Sequence, residues 1–83
     1  MKLNAELSLY PLQKNYIPVI KDFINSARAT EGIEIVTNPM STQIFGDYDT
    51  VFELVGRTLR ESSERHGRQV LVCKFICGEL DPP

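Results

Sequence analysis

Leu3, Ala5, Leu7 and Leu9 alternate with Asn4, Glu6, Ser8 and Tyr10 near the start of the chain. A period of two marks a β-strand with one apolar and one polar face. The stretch Ala5-Glu6-Leu7-Ser8-Leu9-Tyr10-Pro11-Leu12 therefore reads as a first strand, and Pro11, which has no N–H to give a ladder, stops it. Such a strand needs a neighbouring strand to pair with and cover on its apolar face. The rest of the chain has to supply them.

A helix follows. Asn15 is a candidate N-cap, and Pro18 falls in the first turn, where a missing N–H costs little. Tyr16, Ile20, Phe23, Ile24 and Ala27 recur at helical spacing, opposite Lys21, Asp22, Asn25 and Arg28. Gly32 suits a left-handed cap just past the helix end. Ile33 to Thr37 reads as a second strand, Asn38-Pro39 as a turn, and Met40 to Phe45 as a third strand ended by Gly46. A second helix is expected next. Asp47, Asp49 or a Thr50-to-Glu53 capping box would start it, and Tyr48, Val51, Phe52, Val55 and Leu59 would form its apolar stripe. Arg57, Arg60, Glu61, Glu64 and Arg65 read as its wet face, with Glu53–Arg57 and Glu61–Arg65 as i,i+4 pairs. His66-Gly67 closes it. Arg68 to Cys77 is the most apolar segment, and both its faces are apolar, which suggests burial on both sides. The tail Gly78 to Pro83 reads as irregular.

The order strand, helix, strand, strand, helix, strand is the split βαβ arrangement of ferredoxin-like domains. Right-handed crossovers then give an α+β sandwich: an antiparallel sheet of order 4-1-3-2 with both helices on one face. The expectation is a single domain over residues 1–83. Two helices cover one sheet face only. The apolar second face of the fourth strand thus predicts a homo-oligomer, buried at the sheet face or at the fourth-strand edge.

The chain carries a net charge of −2 and a pI near 5.3, which disfavours a nucleic-acid surface. No apolar run is long enough for a membrane helix, and the first residues lack the apolar segment of a signal peptide, so the expected location is cytoplasmic. Cys73 and Cys77, four apart in one strand, would sit about 13 Å from each other, too far for a disulfide, and read as buried thiols. One histidine and no Cys-x-x-Cys exclude the common zinc spacings. There is no phosphate-binding G-x-x-x-x-G-K-[ST] loop and no G-x-S-x-G elbow. Catalytic and metal residues, and cofactors, are accordingly expected to be absent.

Three segments carry a family resemblance: Ala5 to Leu12, Tyr16 to Ile20, and Asn38 to Asp49. They resemble, in the same order and over nearly all of the chain, the thiamine/hydroxymethylpyrimidine-binding family of small ferredoxin-like proteins. Ser8-Leu9-Tyr10-Pro11-Leu12 and Pro39-Met40-Ser41-Thr42 are the specific parts, while the tail after Cys77 departs. The resemblance implies a non-enzymatic protein that binds thiamine or its hydroxymethylpyrimidine moiety and forms a dimer or tetramer through its sheets. An aminopyrimidine needs acceptors for its amino group and mixed donors and acceptors for its ring nitrogens, which carboxylates and hydroxyls provide. Glu6 with Ser8, and Ser41 or Thr42 on the neighbouring strand, are the candidates. Glu6 or Asp47, or the ring of Tyr10 or Tyr48, would favour the thiazolium cation. Glu6 has an alternative partner in Lys74, and Asp47 an alternative role as a helix cap. Ser41 and Thr42 point to opposite faces, and the pattern does not say which faces the helices.

Overall fold

The computed structural model describes residues 1–78. The expected irregular tail therefore lies, from residue 79 on, outside the described residues. Six elements follow in order: β1 Lys2–Pro11, α1 Ile17–Arg28, β2 Glu34–Thr37, β3 Thr42–Asp47, α2 Tyr48–His66 and β4 Gln69–Cys77. The strands form one antiparallel sheet in the order β2-β3-β1-β4, the expected ferredoxin-like topology read from its other edge.

Both edges of β1 are paired. Leu3, Ala5 and Leu7 face Gly46, Ile44 and Thr42 of β3. On the other side they face Cys77, Phe75 and Cys73 of β4. Cross-strand partners share a face, so these residues make up the helix side of the sheet. Leu3, Ala5, Leu7 and Ile44 are buried there against Phe23 and Ala27 of α1 and Val51 and Leu54 of α2. Burial of whole aliphatic side chains stabilises by roughly 1.5–3 kcal/mol each, which makes this cluster the main source of fold stability. The face of β3 is thereby settled: Thr42 and Ile44 point to the helices.

Several sequence expectations shift. The residue before α1 is Tyr16, not Asn15, and no side chain caps the helix. Asn15 instead offers its carbonyl to Gln13 Nε2 at 2.9 Å. The helix ends at Arg28, and Gly32, at φ +77°, serves the turn into β2 rather than the helix cap. Gly46 lies inside β3, where a Cβ would stand 2.8 Å from Ile33 Cδ1. The strand needs that gap and runs on through it into α2. Asp47 occupies the N-cap position of α2 without capping it; its carboxylate pairs with Lys2 at 3.0 Å, and that bond holds its pKa below the usual value.

The buried stripe of α2 is Val51, Leu54, Thr58 and Ser62; of the predicted Tyr48, Val51, Phe52, Val55 and Leu59, Val51 belongs to it and Val55 packs partly buried against the core. The two polar members hide because they are satisfied. Thr58 Oγ1 donates to the Leu54 carbonyl at 2.7 Å, and Ser62 Oγ bonds Gln69 Oε1 at 2.9 Å. Phe52 is displaced outward, stacked between Tyr48 and Phe75 with centroids 5.3 and 4.8 Å away. The Glu53–Arg57 pair forms at 3.1 Å, but Glu61 turns to Arg57 rather than to Arg65. Arg65 and His66 both reach Asp22 across the helix interface.

Among the described residues, neither helix covers the β4 part of the second sheet face. Val70, Val72 and Ile76 on β4 are 47, 45 and 55% exposed there, so the expected burial of β4 on both sides is not supplied by the described residues of one protomer. Cys73 and Cys77 are free thiols as expected, but only half-buried and exposed respectively; partial burial raises the Cys73 pKa.

Two outcomes follow from this packing. Leu54→Ala opens a cavity under α2 and should cost about 2–5 kcal/mol in denaturant unfolding, whereas Phe52→Ala removes only an exposed stack and should cost about 1 kcal/mol. Equal costs would contradict the observed stripe. Hydrogen bonding from His66, then from Arg65, lowers the Asp22 pKa below its ordinary 3.8. A depressed carboxylate stabilises the fold above its unfolded pKa, and that stabilisation is lost as the pH falls through the folded value. Urea midpoints of wild type and Asp22→Asn should therefore differ most near neutrality and converge in acid; a constant offset across pH would contradict the pairing.

Candidate functional site

A cleft of about 410 Å³ opens at the C-terminal end of β1. Residues 7–11 of β1 run along it. Tyr16, Ile20, Phe23 and Ile24 of the α1 region form one wall, and Asn38, Pro39, Met40, Ser41 and Thr42 form the other. The volume lies within the usual range for small-molecule sites, and an apolar lining with a few polar groups is their usual chemistry.

The sequence builds each wall locally. Asn38 Oδ1 accepts the N–H groups of Met40 and Ser41 at 2.9 and 2.8 Å, and the Asn38 N–H donates to the Ser41 carbonyl at 3.0 Å. These bonds close the turn on itself, so β3 begins at Thr42 rather than at the expected Met40. Ser8 Oγ donates to the Met40 carbonyl at 3.3 Å and ties the turn to β1. On α1, Ile20, Phe23, Ile24 and Ala27 keep the apolar face predicted from spacing. Its first turn buries Val19 in the core and sets Ile20 at the cleft, where Tyr16 just before the helix is half exposed.

Of the candidate residues, Ser8, Tyr10, Ser41 and Thr42 all line the cleft. Glu6 does not. It lies beside the cleft on the open sheet face, where Ser41 Oγ donates to its Oε2 at 3.2 Å and Lys74 Nζ approaches its Oε1 at 3.8 Å. Of the two roles that the sequence offers Glu6, the structure shows the pairing with its β4 neighbour Lys74, loose at 3.8 Å, together with a bond from Ser41. Asp47 stands five residues along β3 from Thr42, about 17 Å away, paired with Lys2. Tyr48 sits at that same far end, on Phe52.

Sequence reasoning named the Asn38-Pro39 turn but gave it no part in the site. It also assigned Tyr16, Ile20, Phe23 and Ile24 to the core alone. The turn's asparagine was the available signal, since Asn before Pro favours a side chain bonded to its own backbone. Among the described residues no group of three or more His, Cys, Asp or Glu is arranged to hold a metal ion.

Comparison with known proteins agrees with this architecture. The model of the YKOF-related family matches residues 2–78. The crystal structure of SP2199 from Streptococcus pneumoniae superposes with a TM-score of 0.87 at 23% identity, over 96% of this chain and 90% of that one. MJ1052 from Methanocaldococcus jannascii gives 0.81 at 23% identity, over 98% and 84%. TM0486 from Thermotoga maritima, whose name carries a provisional role in thiamine biosynthesis or salvage, gives 0.78 at 18% identity, over 90% and 82%. At these identities the likeness shows a shared fold. No curated protein matches the chain.

Proposed function

The chain belongs to the YKOF-related family, and from that premise we propose that it is a non-enzymatic binding protein for thiamine or its hydroxymethylpyrimidine moiety, with the cleft as its site. The observation that carries the reading is the cleft itself, whose lining residues include the polar Ser8, Asn38, Ser41 and Thr42 and the aromatic Tyr10, Tyr16 and Phe23. An aminopyrimidine is a flat ring edged by donors and acceptors. Aromatic walls take its faces, and hydroxyls and an amide, each able to donate and accept, take its edge. The role that Thermotoga maritima TM0486 carries in its name points the same way.

We place this function in a homo-oligomer, dimer or tetramer, assembled through the open sheet face. Tyr10 links the two features: it lines the cleft and, 55% exposed, lies beside Val70 of β4 on the uncovered face. A second reading, in which that apolar face makes the protein an interaction module with no ligand, draws on the same exposure of Val70, Val72 and Ile76.

Titration calorimetry and thermal-shift assays at up to millimolar thiamine or hydroxymethylpyrimidine separate the two readings. Binding heat and a raised Tm are expected, with Tyr10→Ala and Thr42→Ala each weakening affinity by about tenfold, roughly 1.4 kcal/mol. Absence of heat and of any shift in the wild type would favour the interaction module. Sedimentation equilibrium should give a mass above the 9.4 kDa protomer; a 9.4 kDa species alone at micromolar concentration would contradict the assembly.

A further inference from the structure

We propose that the cleft admits unphosphorylated heteroaromatic alcohols and rejects their phosphate esters. This selectivity rests on reading the cleft as the ligand site. Its ground is the charge of the lining: among the described residues, those that form the cleft include no Asp, Glu, Lys, Arg or His. The carboxylates that sequence alone offered to a ligand are elsewhere, Glu6 on the open face with Ser41 and Asp47 with Lys2.

A phosphate monoester carries about −1.5 to −2 charges at pH 7. Proteins hold such groups with Arg or Lys, with a glycine-rich nest of N–H groups, or with a helix N-terminus. Among the described residues, neither a cationic side chain nor a glycine lines the cleft. The nearest helix N-terminus is that of α1, and its second residue is Pro18, which withdraws one N–H. The surroundings are apolar as well: Leu12, Tyr16, Ile17 and Met40 are all exposed, with Met40 at 84%. A doubly charged group held against such surfaces loses water and gains only neutral hydroxyl and amide donors, with no countercharge. The basic residues closest along the chain to the β1 end of the cleft, Lys14 and Arg68, are exposed and take no part in the lining. A phosphate that reached either would meet it in water, where ion pairs contribute little.

The same lining does not reject a singly cationic ring. The faces of Tyr10 and Tyr16 are available to a thiazolium, and a contact of that kind contributes about 0.5–1 kcal/mol at exposed sites. The discrimination is therefore against the anion and not against charge of either sign.

Calorimetry with four probes at one salt concentration tests the selectivity: hydroxymethylpyrimidine, its monophosphate, thiamine and thiamine diphosphate. Each ester should bind at least about tenfold more weakly than its parent alcohol. Esters that bind as tightly as the alcohols, or more tightly, would overturn the selectivity while leaving the cleft a ligand site. Silence toward all four probes would overturn the binding function and the selectivity together. Met40→Lys supplies the missing cation at an exposed position on the cleft wall and should narrow the gap between ester and alcohol several-fold. A gap unchanged by the lysine, in a variant whose Tm matches the wild type, would contradict the electrostatic cause.

Discussion

The pairing of β1 on both edges is the constraint on which the rest of the structure depends. Leu3, Ala5 and Leu7 meet Gly46, Ile44 and Thr42 on one side and Cys77, Phe75 and Cys73 on the other. A slip of one residue in either ladder would turn Asn4, Glu6 and Ser8 toward the helices and the leucines toward water. The register also sets the polar side of the cleft. It is what places Ser8 under the Met40 carbonyl and Glu6 within reach of Ser41. Asn4 shows how firmly that register is held. Although its side chain belongs to the open face, it is almost fully buried, and its amide is satisfied by the Gly78 carbonyl at 3.0 Å.

The topology was legible in the sequence because each segment carries one clear period. Alternation in β1, the helical spacing of α1 and the apolar run of β4 leave little choice of order, and the handedness of crossovers fixes the sheet. What was not legible depended on satisfaction rather than on polarity. Thr58 and Ser62 look like surface residues until their hydroxyls are seen bonded to Leu54 and Gln69, and so the stripe of α2 was read about one position off. The start of β3 was hidden for a similar reason, since Asn38 holds two N–H groups that a strand would otherwise use. Within the cleft, pattern reached Ser8, Tyr10, Ser41 and Thr42, which β1 and the turn carry. The wall from α1 escaped it, because an apolar helix face has the same spacing over a core and over a cavity.

Position in the fold separates two kinds of exposed apolar surface. Tyr10, Tyr16 and Met40 gather at the cleft, beside side chains that can hydrogen-bond a ligand edge. Tyr48, Phe52 and Phe75 stack at the far end of β1, where Asp47 and Lys2 bond each other. A hydrophobic surface becomes a selective site only where polar groups converge on it. The cleft meets that condition with neutral groups alone, and it is this neutrality that gives the bound molecule its expected chemistry.

The most direct test of the central claim is a residue-resolved NMR titration with hydroxymethylpyrimidine. The amide shifts should move most at Ser8, Leu9 and Tyr10, at Tyr16 and Ile20, and from Asn38 to Thr42, while Phe52 and Phe75 stay still. Perturbations centred on Phe52 and Phe75, or none at all at saturating ligand, would contradict the assignment of the cleft as the binding site.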